Sequence, residues 1–307
     1  MNLAYEAVVR AAPDCCVRDR NLAPFLTYKV GGPADVYAEP QTVEQLVAVV
    51  KAAHEHGLEP FPLGGGTNVI VRDGGFRGVV IRLGRAFRTV RTEGDRVVAG
   101  AAATMMQAAA EAERSALAGL EFGYDIPGTV GGAVRMNAGA HGSEIRDVLR
   151  EVRGVTWEGA PVVVPVGEIR FSYRFTEYPV ALMVTGARFS LAPGDPVEVA
   201  GKRRRFHAYR LGSQPKGRSV GSVFQNPEGD HAGRLIEAAG LKGHRVGGAV
   251  VSEKHANFIL GDRGATAADI ETLIRTVQTR VRERFGVELE PEVRIVGEPA
   301  PARKVAP

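Results

Sequence analysis

The chain has 307 residues, 44% of them hydrophobic, with a net charge of +4. That length can fill two or three cores, and no run of about 18 apolar residues is present to span a membrane. Glu6 interrupts the N-terminus before any apolar leader forms, and the two cysteines, Cys15 and Cys16, are neighbours. Adjacent cysteines disfavour a bridge and two are too few for a structural zinc, so the expectation is a cytoplasmic protein.

Residues 1–20 carry no motif and read as an N-terminal extension. "TVEQLVAVVKAAHEHG" predicts a helix: Thr42 and Gln45 form a capping box, Val43, Leu46, Val47 and Val50 keep helical spacing, and Gly57 closes the end. "LEPFPL" and "NVIV" are short apolar runs on either side of Gly64, Gly65 and Gly66, and "GVVIRL" reads as a strand. "FRTVRTEGDRVVAGA" alternates about an EGD turn, which predicts a hairpin. "TMMQAAAEAERSALAG" predicts a second helix, and strand-like runs fill 148–191, among them "PVVVPV" and "VALMVTGARFSL".

After "LAPGDP" the pattern changes to helix, loop, helix and paired strands. A long amphipathic helix, "TAADIETLIRTVQTRVRERFG", and a last strand, "VELEPEVRIVG", follow. A domain boundary is expected near Pro193 to Pro196. Strands and helices mix without strict alternation, which points to an α+β fold rather than a doubly wound parallel sheet. The densest basic run, "GKRRRFHAYR", reads as the solvated face of a helix or as an attractor for an anionic ligand. No nucleic-acid-binding signature accompanies it. His54 and His56, at a helix end, read as surface residues without a metal partner.

"PLGGGTNVIV" admits a tight turn or a loop that offers backbone N–H groups to a phosphate. It is neither G-x-G-x-x-G nor a P-loop, since no GK[ST] follows and a strand comes next. A second segment, "PGTVGGAVRMNAG", holds Gly128, Gly131, Gly132 and Gly139 with Thr129 and Asn137. Two such loops could wrap a pyrophosphate through backbone donors.

"NLAPFLTYKVGGPADVYAEP", "PLGGGTNVIV" and "IPGTVGGAVRMNAGAHGSEI" resemble the FAD-binding half of the UDP-N-acetylenolpyruvoylglucosamine reductase (MurB) family. "FSYRFTEY", "GSVFQNP" and "EKHANFILG … LEPEVRIVG" match that family in particular, so the resemblance runs from about Asn21 to Gly297. It implies an FAD-binding fold of vanillyl-alcohol oxidase (PCMH) type over 21–195, in subdomains of about 21–85 and 86–195. A C-terminal α+β substrate domain over 196–297 and a disordered tail, 298–307, would follow.

The implied activity is reduction of an enolpyruvyl ether on a UDP-sugar to a lactyl ether, with NADPH as reductant and FAD bound non-covalently. Hydride reaches the terminal carbon of the enol ether, and negative charge builds beside the carboxylate. The resemblance assigns charge stabilisation to Arg174, the proton to Ser222, and a hydrogen bond to the intermediate's carboxyl group, or a shared proton, to Glu292. Cofactor contacts would come from Gly64, Gly65, Gly66, Thr67, Asn68, Gly128, Thr129, Gly132, Asn137 and Gly139. Substrate contacts would come from Tyr173, Lys216, Asn226 and His255. Gln225 stands where members commonly carry lysine, which removes a positive charge near the substrate.

Only "APGDPVEVAG" separates "ARFSL" from "KRRRFHAYR", so the chain resembles the class without the tyrosine-bearing insertion. The expected partner is the UDP-sugar alone, with neither nucleic acid nor membrane insertion, and the expected state is a monomer. A second enzyme reading is an oxidase of the same FAD fold acting on an alcohol or sugar. Many of those attach flavin through histidine or cysteine, and His141 is the only such residue in the glycine segments.

Overall fold

A computed structural model describes residues 3–301. It divides into two compact units, one of residues 1–18, 36–65 and 78–212, the other of 19–35, 66–77 and 213–307. The change expected near Pro193 to Pro196 falls one helix later, after Gly212, and the second unit also takes in two earlier pieces of chain. Topology explains why local composition did not show this: short segments far apart in sequence complete the second unit's core.

Helices α1 (Leu3–Ala11), α2 (Val43–Glu55), α3 (Met105–Arg114), α4 (Val130–Arg135) and α5 (Pro196–Ser213) lie in the first unit. A five-stranded antiparallel sheet is its framework, in the order β12 (Pro161–Pro165), β11 (Leu149–Thr156), β15 (Leu182–Ser190), β7 (Arg96–Gly100), β6 (Val90–Glu93). A four-stranded sheet runs β1 (Cys16–Asn21), β2 (Pro33–Ala38), β5 (Phe76–Ile81), β3 (Pro60–Pro62), of which residues 19–21, 33–35 and 76–77 are counted with the second unit. Three two-stranded pairs complete the unit: β8 (Leu117–Ala118) with β16 (Ala192–Pro193), β9 (Gly139–Ala140) with β10 (Ser143–Glu144), and β13 (Arg170–Ser172) with β14 (Phe175–Glu177).

The expected local signals mostly hold. The β6–β7 hairpin turns at Gly94 and Asp95, where Gly94 takes φ 63°. Thr104 and Gln107 form a complete capping box on α3. On α2 only half of the box forms: Thr42 accepts the Gln45 N–H, but the Gln45 side chain accepts from Gln41 N instead. The core of this unit joins Leu46, Val49 and Val50 of α2 to Val97, Ala99, Val152 and Phe189 of the large sheet.

The second unit holds α6 (Ala232–Ala238), α7 (Ala267–Phe285), a sheet β17 (Arg245–Val246), β18 (Ala249–Val251), β19 (Ile259–Gly261), and the parallel pair β4 (Val69–Val71) with β20 (Arg294–Val296). Its core packs Ile270, Leu273, Ile274 and Val277 of α7 with Tyr28, Ile70, Val223 and Phe224. α7 is capped by Thr266 and Asp269 and ends at left-handed Gly286. The last strand is shorter than expected, because Pro291 has no N–H for a ladder; only Arg294–Val296 pair with β4. The tail also departs from expectation at its start: Glu298 accepts from Gly74 N at 2.9 Å and donates to Gly75 O at 2.8 Å. The rest of it, 302–307, lies outside the described residues.

α5 carries the basic run. It buries only Val199, and carboxylates of its own unit meet it: Arg203 pairs with Glu113 at 2.5 Å, Lys202 with Glu121 at 3.3 Å, and His207 Nδ1 with Asp125 at 2.8 Å. Part of the run therefore faces protein, while Arg204 and Arg205 are exposed. Among the described residues no helix is long and apolar enough to cross a membrane.

Candidate functional site

Gly64 to Asn68 run as bends between β3 and β4. Among the described residues, the backbone N–H groups of Gly64, Gly65, Gly66 and Asn68 donate to no protein acceptor. Gly66 is buried, and a buried N–H without an acceptor is costly unless one is supplied. Its φ is 64°, and a Cβ there would overlap the Phe25 carbonyl. The Gly66 carbonyl accepts from Thr27 N at 3.0 Å and Thr27 Oγ1 at 3.1 Å, which locks the turn. A Cβ at Gly64 would lie 2.7 Å from Thr129 Oγ1. Successive N–H groups on a backbone stripped of side chains form a concavity suited to an anion, so this segment fits a cofactor pyrophosphate.

The second glycine segment is used differently. Val130 N donates to Ala103 O at 2.8 Å, Gly131 N to Ala101 O at 2.9 Å, and Gly132 N to Thr129 Oγ1 at 3.3 Å. The Gly132 N–H expected to face a phosphate is thus occupied within the protein, whereas the Thr129 hydroxyl accepts it and keeps its own hydrogen to donate. Gly128 takes φ 111°, a left-handed value that suits glycine. At Gly139 a Cβ would lie 2.7 Å from Ser143 O, so the β9–β10 pair requires glycine. Asn137 departs most from its expected cofactor role: it is 0% exposed, its Nδ2 donates to Ser172 O at 3.3 Å, and its Oδ1 accepts from Arg146 N at 3.0 Å. A side chain engaged at both ends and closed to solvent cannot reach a ligand.

Asn68 also has a protein partner, since its Nδ2 donates to Glu292 O at 3.1 Å. Its carbonyl accepts from Arg294 N at 3.0 Å. Thr67 is half-buried in the same bend.

Arg174 belongs to the first unit and stands in a two-residue turn with Tyr173, since Ser172 pairs with Phe175. Its φ is 57°, a region uncommon for a residue with a long side chain and costing about 1 kcal/mol or more. Its Nη2 donates to Gly139 O at 3.3 Å, and the guanidinium lies 4.7 Å from the Tyr173 ring centroid. Tyr173 is 48% exposed. His141, in the β9–β10 turn, stacks on Phe206 with ring centroids 4.0 Å apart; burial pushes its pKa below the ordinary value.

Ser222 and Glu292 belong to the second unit, and the structure brings their backbones together. Glu292 N donates to Val223 O at 2.7 Å, one residue from Ser222, and Gln225 N donates to Glu290 O at 2.9 Å. Gly221 has φ 87° and open space where a Cβ would be. Among the described residues the Ser222 hydroxyl has no hydrogen-bond partner, and the residue is half-buried. Glu292 stands two residues before β20, later strand than expected but on the same stretch of chain.

Lys216 and Asn226 are exposed in the same unit, and Asn226 Oδ1 caps α6 by accepting from Ala232 N at 3.1 Å. His255 Nδ1 accepts from Asn257 N at 3.2 Å, which puts the neutral ring's proton on Nε2. Burial lowers the pKa of His255, so that neutral form is favoured near pH 7.

Residues 214–296 match the family described as UDP-N-acetylenolpyruvoylglucosamine reductase, C-terminal domain, and residues 34–164 match an FAD binding domain. A UDP-N-acetylenolpyruvoylglucosamine reductase of Rubrobacter xylanophilus is 47% identical, with 92% of this chain and 95% of the relative covered. One from Paracoccus denitrificans is also 47% identical over 92% and 95%. The crystal structure of the reductase (MurB) from Thermus caldophilus superposes with a TM-score of 0.79 at 36% identity, covering 91% of this chain and 97% of that one. The α+β fold with an FAD-binding domain of the expected type is therefore established, and the reductase reading prevails over the oxidase. The chain is an oxidoreductase and belongs to the UDP-N-acetylenolpyruvoylglucosamine reductase family.

Proposed function

We propose that the protein reduces UDP-N-acetylglucosamine enolpyruvate to UDP-N-acetylmuramate with NADPH, as a cytoplasmic monomer in peptidoglycan precursor synthesis. One observation carries the reading: the Val223 carbonyl beside Ser222 receives the Glu292 N–H, and Asn68 of the first glycine loop holds the Glu292 carbonyl. The proposed proton donor, its acidic neighbour and residues 66–68 of the cofactor loop belong to one unit.

Non-covalently bound FAD supplies the two-electron carriage between NADPH and the sugar. Gly64, Gly65 and Gly66 would hold its pyrophosphate through backbone N–H groups, with Thr67 adding a hydroxyl. In the net reaction one hydride converts the terminal methylene of the enol ether to a methyl group. One proton then reaches the carbon beside the carboxylate, and NADPH leaves as NADP+. Arg174 would stabilise the charge that builds on the enolate, since its planar fork matches a carboxylate. Ser222 would give its hydroxyl proton to the carbanion, and Gly221 leaves its backbone open to approach. Glu292 would hydrogen-bond the intermediate's carboxyl group. Tyr173, Lys216, His255 through Nε2–H, and the amide N–H of Asn226 would contact the substrate.

The test is anaerobic. Protein loaded with FAD should lose its visible flavin absorbance on adding NADPH and regain it on adding the enolpyruvyl UDP-sugar. Ser222→Ala should keep the first change and slow the second by about 10²-fold or more, the scale of a lost general acid. Absence of flavin binding would sink the reading, and an unimpaired second step in Ser222→Ala would remove Ser222 from its role.

A further inference from the structure

Among the described residues the hairpin β13–β14 that carries Arg174 pairs with no other strand, and side chains and backbone of residues 134–139 hold it on both arms. On the β13 arm, Asn137 Nδ2 donates to Ser172 O at 3.3 Å. At the turn, Arg174 Nη2 donates to Gly139 O at 3.3 Å. On the β14 arm, Thr176 Oγ1 donates to Val134 O at 2.7 Å, and Arg135 Nη1 donates to Thr176 O. The Arg135 guanidinium also lies 4.8 Å from the Phe175 ring centroid. Asn137 and Thr176 are both 0% exposed.

Asn137 is the best-braced member of this set. Its Oδ1 accepts from Arg146 N at 3.0 Å, so the amide cannot swing away from Ser172. Its φ of 40° is one that asparagine tolerates better than most side chains. A buried amide with its carbonyl and N–H₂ group engaged rigidifies what it joins, and removing it deletes both bonds at once. The joined element bears a turn residue in a strained conformation, which persists only where its surroundings enforce it.

We propose that Asn137 is a positioning residue for Arg174: by holding the Ser172 carbonyl at the base of the turn, it fixes the direction of the guanidinium. The inference rests on Arg174 being the charge stabiliser of the proposed reaction. The second glycine segment then serves the substrate step rather than cofactor affinity. A misplacement of order 1 Å in such a group costs roughly 10²-fold in rate.

Asn137→Gly is the informative variant, because glycine adopts φ 40° without strain and only the amide is lost. Its kcat for the enolpyruvyl sugar should fall about 10–10²-fold with FAD affinity unchanged. In an Arg174→Lys background the same change should cost little, since the guanidinium it orients is gone. A penalty of equal size in both backgrounds, or a weakened FAD affinity, overturns the positioning role. If Arg174→Lys itself leaves sugar reduction intact, it is the assignment of Arg174 in the proposed function that fails.

Asn137→Asp gives an independent readout that needs no glycine. A buried carboxyl has a raised pKa, and only its protonated form can donate to Ser172 O. Sugar reduction by Asn137→Asp should therefore decline relative to the parent as pH rises through that value. A pH profile parallel to the parent's overturns the proposal.

Discussion

The two glycine-rich segments look alike in sequence and do opposite things. Among the described residues, Gly64 to Asn68 leave four backbone N–H groups without protein acceptors, and Gly66 stands on positive φ. In residues 128–139, Val130, Gly131 and Gly132 spend theirs on Ala103, Ala101 and Thr129, and Asn137 is sealed inside. Glycine in the first segment exposes donors. In the second it permits close packing: a Cβ at Gly131 would lie 2.9 Å from Ala101 Cβ. A run of glycines thus indicates that backbone comes near something, and only the donors' partners say whether that something is ligand or protein.

Substitution should separate the two. Gly66→Ala combines a left-handed φ with overlap on the Phe25 carbonyl, a rigid backbone atom, so the turn must open. FAD affinity measured by flavin fluorescence titration should fall at least about 10²-fold, the loss of two or more charge-assisted bonds. Gly131→Ala presses first on the Ala101 methyl group, at 2.9 Å, and then on the Ala101 carbonyl, at 3.2 Å. It should lower stability by about 1–3 kcal/mol, read in denaturant unfolding, as overpacking does. Its effect on FAD affinity should be the smaller of the two. Equal losses of affinity in both variants would erase the distinction.

Much of the frame was legible because it depends on neighbours in sequence. Thr104 with Gln107, the turn at Gly94, and Gly286 after α7 act within one or two turns of chain, and each works as the pattern says. The resemblance gathered the site residues, but their surroundings are non-local. "FSYRF" contains no glycine, proline or asparagine, so only Ser172, a weak turn former, announces a turn at Tyr173 and Arg174. The strained φ of Arg174 exists because Val134, Asn137 and Gly139, some 35 to 42 residues away, hold the hairpin. Asn137 itself reads as a cofactor ligand in a glycine-rich loop, and only its burial and two partners show otherwise. Likewise Asn68 meets Glu292 across 224 residues, a pairing no local pattern encodes.

The segments also differ in what braces them, which pH can expose. β4, directly after the first segment, is followed by Arg72, whose Nε and Nη2 donate to Glu271 at 2.9 and 3.0 Å. Arg72 also donates to Gly297 O at 3.0 Å. The hydrogen bond from Arg72 holds the Glu271 carboxyl below its ordinary pKa. A depressed carboxyl pKa adds stability that is fully present above the unfolded value and is lost as pH falls through the folded one. The brace of the second segment, Asn137 with Thr176, is an amide and a hydroxyl and does not titrate. Hydrogen exchange near pH 3 should therefore show β4 and its preceding loop loosening relative to pH 7, with residues 134–139 changing less. The effect is the smallest of those expected, about 0.5–1 kcal/mol for a partly exposed pair. Glu271→Gln should abolish the acid sensitivity of β4 while leaving residues 134–139 as they were. Unchanged acid sensitivity in that variant would mean that another group sets the brace.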